Sequence, residues 1–224
     1  MRLEYKFIIN EYQRAILQSR IESVMERDLH VKDGTYLITS LYFDDYQNGC
    51  YLDNEFGVDR REKFRIRYYN RDSNFMRLEL KSKLRGMCDK KQCKITRDQT
   101  DNFINGNGLI VDEDMPSLLR KLQADFDTKL LRPEIIVDYE RIPYIYHTGN
   151  VRITFDCNIC ASTDISNFLN ASYHKIPILP DGMLVMEIKY DDILPGFIED
   201  IVQFSGLGKE TFSKFYLCKR QMVL

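Results

Sequence analysis

Apolar and polar positions alternate with a period of two along much of this chain. That period predicts strands with two chemically distinct faces. In 63–69, Lys63, Arg65, Arg67 and Tyr69 share one face and Phe64, Ile66 and Tyr68 the other. In 77–83, Arg77, Glu79, Lys81 and Lys83 oppose Leu78, Leu80 and Ser82. In 151–158, Arg152, Thr154, Asp156 and Asn158 oppose Val151, Ile153, Phe155 and Cys157, and in 184–190 Glu187 and Lys189 alternate with Met186, Ile188 and Tyr190. The first strand, Glu4 to Ile9, sets Glu4 and Lys6 against Tyr5 and Phe7.

Further strands are predicted at about 37–44, 62–70, 75–84, 88–96, 133–146, 150–159 and 183–190. The turn residues 70–74, Arg85-Gly86 and 147–150 separate neighbouring strands, which reads as an antiparallel meander. Ile16, Leu17, Ile21, Val24 and Met25 fall at helical spacing, so a helix is expected from Glu11 to Leu29. A polar connection through Asn48, Asp53 and Gly57 is expected after the second strand. Helices are also predicted at about 97–105 and 115–127. Another follows Pro195-Gly196, carrying Phe197, Ile198, Ile201, Val202 and Phe204 and ended by Gly206 and Gly208, and a last one runs from Lys209 to Arg220. The expected class is α+β, a mainly antiparallel sheet with flanking helices. With no linker, repeat or low-complexity tract, residues 1–224 read as a single domain.

Composition narrows the chemistry. Hydrophobic residues are 44% and charged residues 29%, with 32 Lys plus Arg against 34 Asp plus Glu and a net charge of −2. That balance excludes a generally basic nucleic-acid coat or a polybasic membrane surface, and no nucleic-acid partner is expected. No run approaches the roughly 18 apolar residues of a membrane helix. The N-terminal segment lacks the apolar core of a signal peptide, so a cytoplasmic location is expected. The six cysteines then read as reduced thiols. Cys157 and Cys160 have the spacing of half a zinc site, but a partner pair is missing.

Two explanations of the charged faces stand side by side. A half-buried antiparallel sheet always turns one polar face to water. Here, however, that face is almost entirely long charged residues, and a carboxylate and a lysine recur two apart in Glu4/Lys6, Glu79/Lys81 and Glu187/Lys189. If the sheet curls into a barrel with its apolar face outward, these charges line an interior. Crowded interior cations are costly unless a polyanion neutralises them. A phosphate chain would do so, and the carboxylates could hold a divalent metal bridging its oxygens.

Several segments carry a resemblance: residues 2–7 (RLEYKF), 40–44 (SLYFD), 63–69 (KFRIRYY), 78–81 (LELK), Arg132-Pro133 with Tyr139-Glu140-Arg141, 151–156 (VRITFD), 186–190 (MEIKY) and Ser213-Lys214-Phe215. In this order they resemble the vacuolar transporter chaperone (VTC) domain, the polyphosphate polymerase branch of the triphosphate tunnel metalloenzymes, over nearly the whole chain. The resemblance implies an antiparallel β-barrel, the triphosphate tunnel, with helices outside. It implies transfer of the γ-phosphoryl group of ATP to a growing polyphosphate chain with Mn²⁺ or Mg²⁺. Lys6, Arg65, Arg67, Lys81, Arg141 and Lys214 are then the expected catalytic, phosphate-contacting cations. Tyr139, Lys189, Arg152 and Ser213 are expected to bind substrate, and Glu187 with Glu79 to hold the metal. One departure is Thr211, a lysine in some family members; Lys209 lies nearby. The chain is expected to act without the regulatory domain and membrane helices of eukaryotic members, with any coupling to membrane transport expected to go through a separate membrane protein.

Phosphoryl transfer suits this inventory, because positioning, cations and a metal supply most of its catalysis. The chain has no Walker-type loop and no kinase Gly-rich loop. Polyphosphate synthesis leads. Hydrolysis of triphosphate or a nucleoside triphosphate, and a non-catalytic polyphosphate- or nucleotide-binding module, are the alternatives.

Overall fold

A computed structural model describes residues 2–28, 31, 34–85, 87–203, 208 and 213–223 of the chain. In chain order the elements are β1 (Arg2–Asn10), α1 (Glu11–Glu22), β2 (Glu26–Arg27), β3 (Tyr36–Asp44), α2 (Gly49–Glu55), β4 (Arg61–Tyr69), β5 (Asp72–Leu84) and β6 (Met87–Ile95). There follow α3 (Arg97–Ile104), α4 (Ser117–Thr128), β7 (Arg132–Tyr146), β8 (Val151–Ser162), β9 (Ile176–Pro177), β10 (Met183–Asp191), α5 (Gly196–Val202) and α6 (Lys214–Val223). This is the expected α+β class with an antiparallel sheet and flanking helices.

The chain forms two compact units, residues 1–37, 139–159 and 179–212 in the first, and 38–138, 160–178 and 213–224 in the second. In the first, β10 pairs antiparallel with both β1 and β8, and β2 pairs with β7. Its core joins Phe7 and Ile9 of β1, Ile153 and Phe155 of β8, and Met186 and Ile188 of β10 to Leu17 and Ile21 of α1 and Ile198 of α5. In the second unit, β3, β4, β5 and β6 pair antiparallel in sequence. There Leu41, Phe43, Phe64, Ile66, Tyr68, Leu78 and Leu80 pack against Phe103 of α3 and Leu119, Leu122 and Phe126 of α4. In both units the helices cover the apolar face of the strands. The charged positions are left on the other face, as the period of two requires.

The first helix is shorter than its apolar spacing predicts. It starts at a capping box in which Asn10 Oδ1 accepts from the Gln13 amide and Gln13 Oε1 from the Asn10 amide, each at 2.9 Å. It ends at Glu22, where the Ser23 hydroxyl donates to the Arg20 carbonyl at 2.6 Å. Strand pairing then takes over, with Glu26 opposite Ile145 and Arg27 opposite Tyr144. Glu22 accepts from both Arg27 Nη2 (2.6 Å) and the Tyr144 hydroxyl (2.7 Å), which fixes the exit. Leu29, the expected last residue, lies outside the described residues, as do Phe204, Gly206, Lys209 and Thr211. The fifth helix stops at Val202, capped through Gln203, and the last begins at Lys214.

The segment expected as a polar connection contains α2, which a buried carboxylate holds. Asp44 accepts from the amides of Asp45 (2.9 Å), Cys50 (2.8 Å) and Tyr51 (3.3 Å). Lys219 of α6, only 2% exposed, donates to Asp44 Oδ2 at 2.8 Å and Asn48 Oδ1 at 2.6 Å. One carboxylate thus ties α2 and α6 to the end of β3. Asp44→Ala strips three amides and a buried ammonium of their acceptor. It is expected to lower stability in equilibrium urea unfolding by about 3–5 kcal/mol. Lys219→Met should cost less, because Asp44 keeps its amide donors.

Candidate functional site

In the second unit, register brings the expected cations together. Arg65 of β4 lies opposite Tyr42 of β3 and Glu79 of β5, and Arg67 lies two residues along the same face. Arg65 Nε donates to Glu79 Oε2 at 2.7 Å and its Nη1 to the Tyr42 hydroxyl at 3.0 Å. Arg67 Nη2 donates to Glu79 Oε1, which also accepts from Lys90 Nζ of β6 at 3.0 Å. Glu79 is 1% exposed and Arg67 8%. Such burial at Glu79 and Arg67 is not that of a solvated polar face, while Arg77 and Lys81 on the same face of β5 are exposed. Burial alone would raise the Glu79 carboxyl, but Arg65, Arg67 and Lys90 outweigh it and hold the group at about 2. Three cations share this one carboxylate, so among the described residues the cluster carries excess positive charge. Lys81, on the same face, is exposed and lies opposite Lys63 and Lys90. At the start of α6, the Ser213 hydroxyl accepts from Lys63 Nζ (3.3 Å) and the Tyr216 amide (3.1 Å), and Lys214 follows it as the first residue of the helix.

The first unit has a different balance. Lys6 of β1 lies opposite Glu187 of β10, and Glu4 opposite Lys189. Glu187 Oε1 is 2.9 Å from Lys189 Nζ and 4.0 Å from Lys6 Nζ, and Lys6 also reaches Glu4 Oε1 at 2.5 Å. Arg141 of β7 grips Asp156 of β8 in a bidentate pair, Nε–Oδ1 2.6 Å and Nη2–Oδ2 2.8 Å, and places Nη2 3.4 Å from Glu187 Oε2. The Tyr139 ring lies 5.3 Å from the Arg141 guanidinium carbon. Burial opposes the charge on Arg141, but Asp156, Tyr139 and Glu187 outweigh it and raise the group further above its ordinary value. Glu4 is lowered although burial and Glu187 push it up, because Lys189 and Lys6 prevail. Arg152 is exposed on β8 opposite Lys189. Among the described residues Lys6, Lys189 and Arg141 therefore face Glu4, Glu187 and Asp156, three charges of each sign, with the exposed Arg152 beside them.

The sequence matches the VTC domain family over residues 1–223. The chain belongs to this family. Its fold is also found in solved structures of low identity. The PH1819 protein of Pyrococcus horikoshii OT3 shares 15% identity at a TM-score of 0.52, covering 99% of each chain. A putative adenylyl cyclase from Hippeastrum, HpAC1, described as having a dominant triphosphatase activity, shares 14% identity at a TM-score of 0.56, covering 99% of this chain and 96% of that one. A search of curated proteins found no match.

In this VTC domain the described residues hold no group of three or more His, Cys, Asp or Glu side chains arranged for a metal. The donor chemistry nonetheless fits Mg²⁺ or Mn²⁺. Such ions take one or two carboxylates and complete their shell with water and substrate phosphate oxygens. Glu187 and Glu4 are two carboxylates close enough to perturb one another. Glu79, expected as a second metal ligand, has both oxygens engaged by cations, as Glu187 has. Four contributors were not assigned from sequence: Glu4, Asp156, Lys90 and Tyr42. Glu4 and Asp156 share the face and parity of assigned residues, which was the available signal. Lys90 lies in the polar run 87–94, where little alternation shows.

Glu79→Gln keeps the volume but leaves two guanidinium groups without their anion. Stability is expected to fall by about 3–5 kcal/mol in chemical unfolding. Because Glu79 is depressed in the folded protein, its contribution is full above pH 4.5 and is lost as pH falls toward about 2. The acid-induced loss of stability between those values should therefore be shallower in the variant.

Proposed function

We propose that this VTC domain is a polyphosphate polymerase. A terminal oxygen of a polyphosphate chain bonds to the γ-phosphorus of ATP, the bond from that phosphorus to the β–γ bridging oxygen breaks, and ADP leaves with those electrons. The observation that carries this reading is the buried cluster in which Arg65, Arg67 and Lys90 share Glu79. Excess cations in a partly dehydrated site are compensated by a polyanion, and phosphoryl transfer places its charge on oxygens that such cations stabilise.

The residues divide into roles by their geometry. Arg65 and Arg67, fixed by Glu79, offer forked donors to phosphate oxygens, with Lys81 as a mobile charge. Arg141, oriented by Asp156, presents its guanidinium beside Glu187, with Tyr139 packed against it. Lys6, Lys189 and Arg152 supply further cations, and Ser213 and Lys214 stand at the start of α6. Glu187, with Glu4, would hold Mn²⁺ or Mg²⁺, which when bound neutralises charge developing on the transferred group. The reading takes residues 1–224 as one tunnel domain acting on ATP in the cytoplasm. A separate membrane protein as partner is part of this reading; among the described residues no helix is long and apolar enough to cross a membrane.

A second reading, hydrolysis of triphosphate or a nucleoside triphosphate with water as acceptor, draws support from the fold shared with the Hippeastrum protein described as a triphosphatase. Incubating the purified protein with ATP and Mn²⁺ and resolving the products separates the readings. Polyphosphate with ADP is expected; free phosphate without polyphosphate would show hydrolysis instead. Neither product across several nucleotides and metals would leave a binding module. In Glu187→Gln, product formation should fall by at least about 100-fold while triphosphate binding persists. Wild-type metal-dependent turnover in a normally stable variant would remove Glu187 from the metal site.

A further inference from the structure

Lys63 shares its strand face with Arg65 and Arg67 and lies opposite Lys81, but its environment differs from theirs. Its ammonium sits 3.3 Å from the Ser213 hydroxyl and 4.3 Å from the centre of the Phe215 ring, both at the start of α6. The carboxylates of this region are committed to other cations, Asp44 to Lys219 and Glu79 to Arg65, Arg67 and Lys90. Among the described residues Lys63 makes no ion pair. The groups that act on it are Asp44 from β3, Cys50 from α2, Arg61 on its own strand and Lys81 from β5.

Burial dominates and, with Lys81 and Arg61, pushes the Lys63 ammonium down to about 7. Cys50 and Asp44 oppose this. Burial, however, lifts the Cys50 thiol itself to about 12, so near neutral pH it brings no thiolate to pair with the ammonium. Lys63 thus lacks the anion that Arg65 and Arg67 have, and it shares their face of the strand.

We propose that Lys63 is an additional phosphate-binding residue of this cluster and takes up a proton when a polyphosphate chain occupies it. The proposal rests on the phosphate reading above and adds a proton to the binding reaction. A phosphate oxygen near Lys63 favours the ammonium, so the amine gains an N–H bond and the buffer acid that supplied the proton becomes its conjugate base. Below about pH 7 the group is already charged in the empty protein and little proton is taken up. Above it, uptake rises toward one proton per bound chain, and affinity weakens as pH climbs.

Titration calorimetry with inorganic triphosphate at pH 8, in two phosphate-free buffers of different ionisation enthalpy, tests this. Wild type should take up about one proton more than Lys63→Arg, which stays charged throughout, and the difference should vanish at pH 6. Lys63→Met should lose the same proton and bind triphosphate about tenfold more weakly. Comparing protein variants cancels the protons that triphosphate itself exchanges. Equal uptake in wild type and both variants, or unchanged affinity in Lys63→Met, overturns the role of Lys63 while leaving the phosphate reading standing. Failure of wild type to bind triphosphate at all overturns both.

Discussion

Taking Arg67 and Glu79 out of water is costly, and their attraction repays that cost only when geometry and further hydrogen bonds are good. Here Glu79 receives Arg65, Arg67 and Lys90 together. The helices α3 and α4 bury the opposite, apolar face of the same strands. Because side chains alternate across a strand, that packing also dictates where the charges go. A one-residue slip of β4 would turn Arg65 and Arg67 into the helix-packed core and Phe64 and Ile66 out of it, so apolar burial fixes the charged constellation.

The two clusters differ in charge balance, and the difference sorts their chemistry. Around Glu79 the cations exceed the carboxylates among the described residues, which favours an anionic ligand. Around Glu187 three cations meet Glu4, Glu187 and Asp156 among the described residues, and Glu187 lies close enough to push Glu4 up against the pull of Lys189 and Lys6. A pair of adjacent carboxylates among cations suits a divalent ion shared with phosphate oxygens. Arg141 touches both Asp156 and Glu187, so the orientation of its guanidinium and the charge at Glu187 are coupled.

The parity of charge was legible in the sequence because it is local: 63–69, 77–83 and 184–190 each show it without a partner strand. The fold class and most element positions follow from the same period. Partners distant in sequence were not legible. Nothing near Asp44 announces Lys219, 175 residues away, yet that pair holds the short helix α2, expected as a polar connection. The cationic partners of Glu79 were not legible either, because they depend on which residues β4 and β6 bring to its oxygens. The apolar spacing of Val24 and Met25 extended α1 on paper, where pairing of β2 with β7 ends it in the fold.

The central claim is that the buried charged faces are built for a polyanion, and thermal unfolding of the wild-type protein with inorganic triphosphate tests it most directly. A ligand that binds only the folded state raises the melting temperature with its concentration. Triphosphate is predicted to raise it by several degrees while sodium chloride of equal ionic strength does not, since screening alone supplies no bound anion. An equal shift from both salts, or none from triphosphate, would contradict the claim.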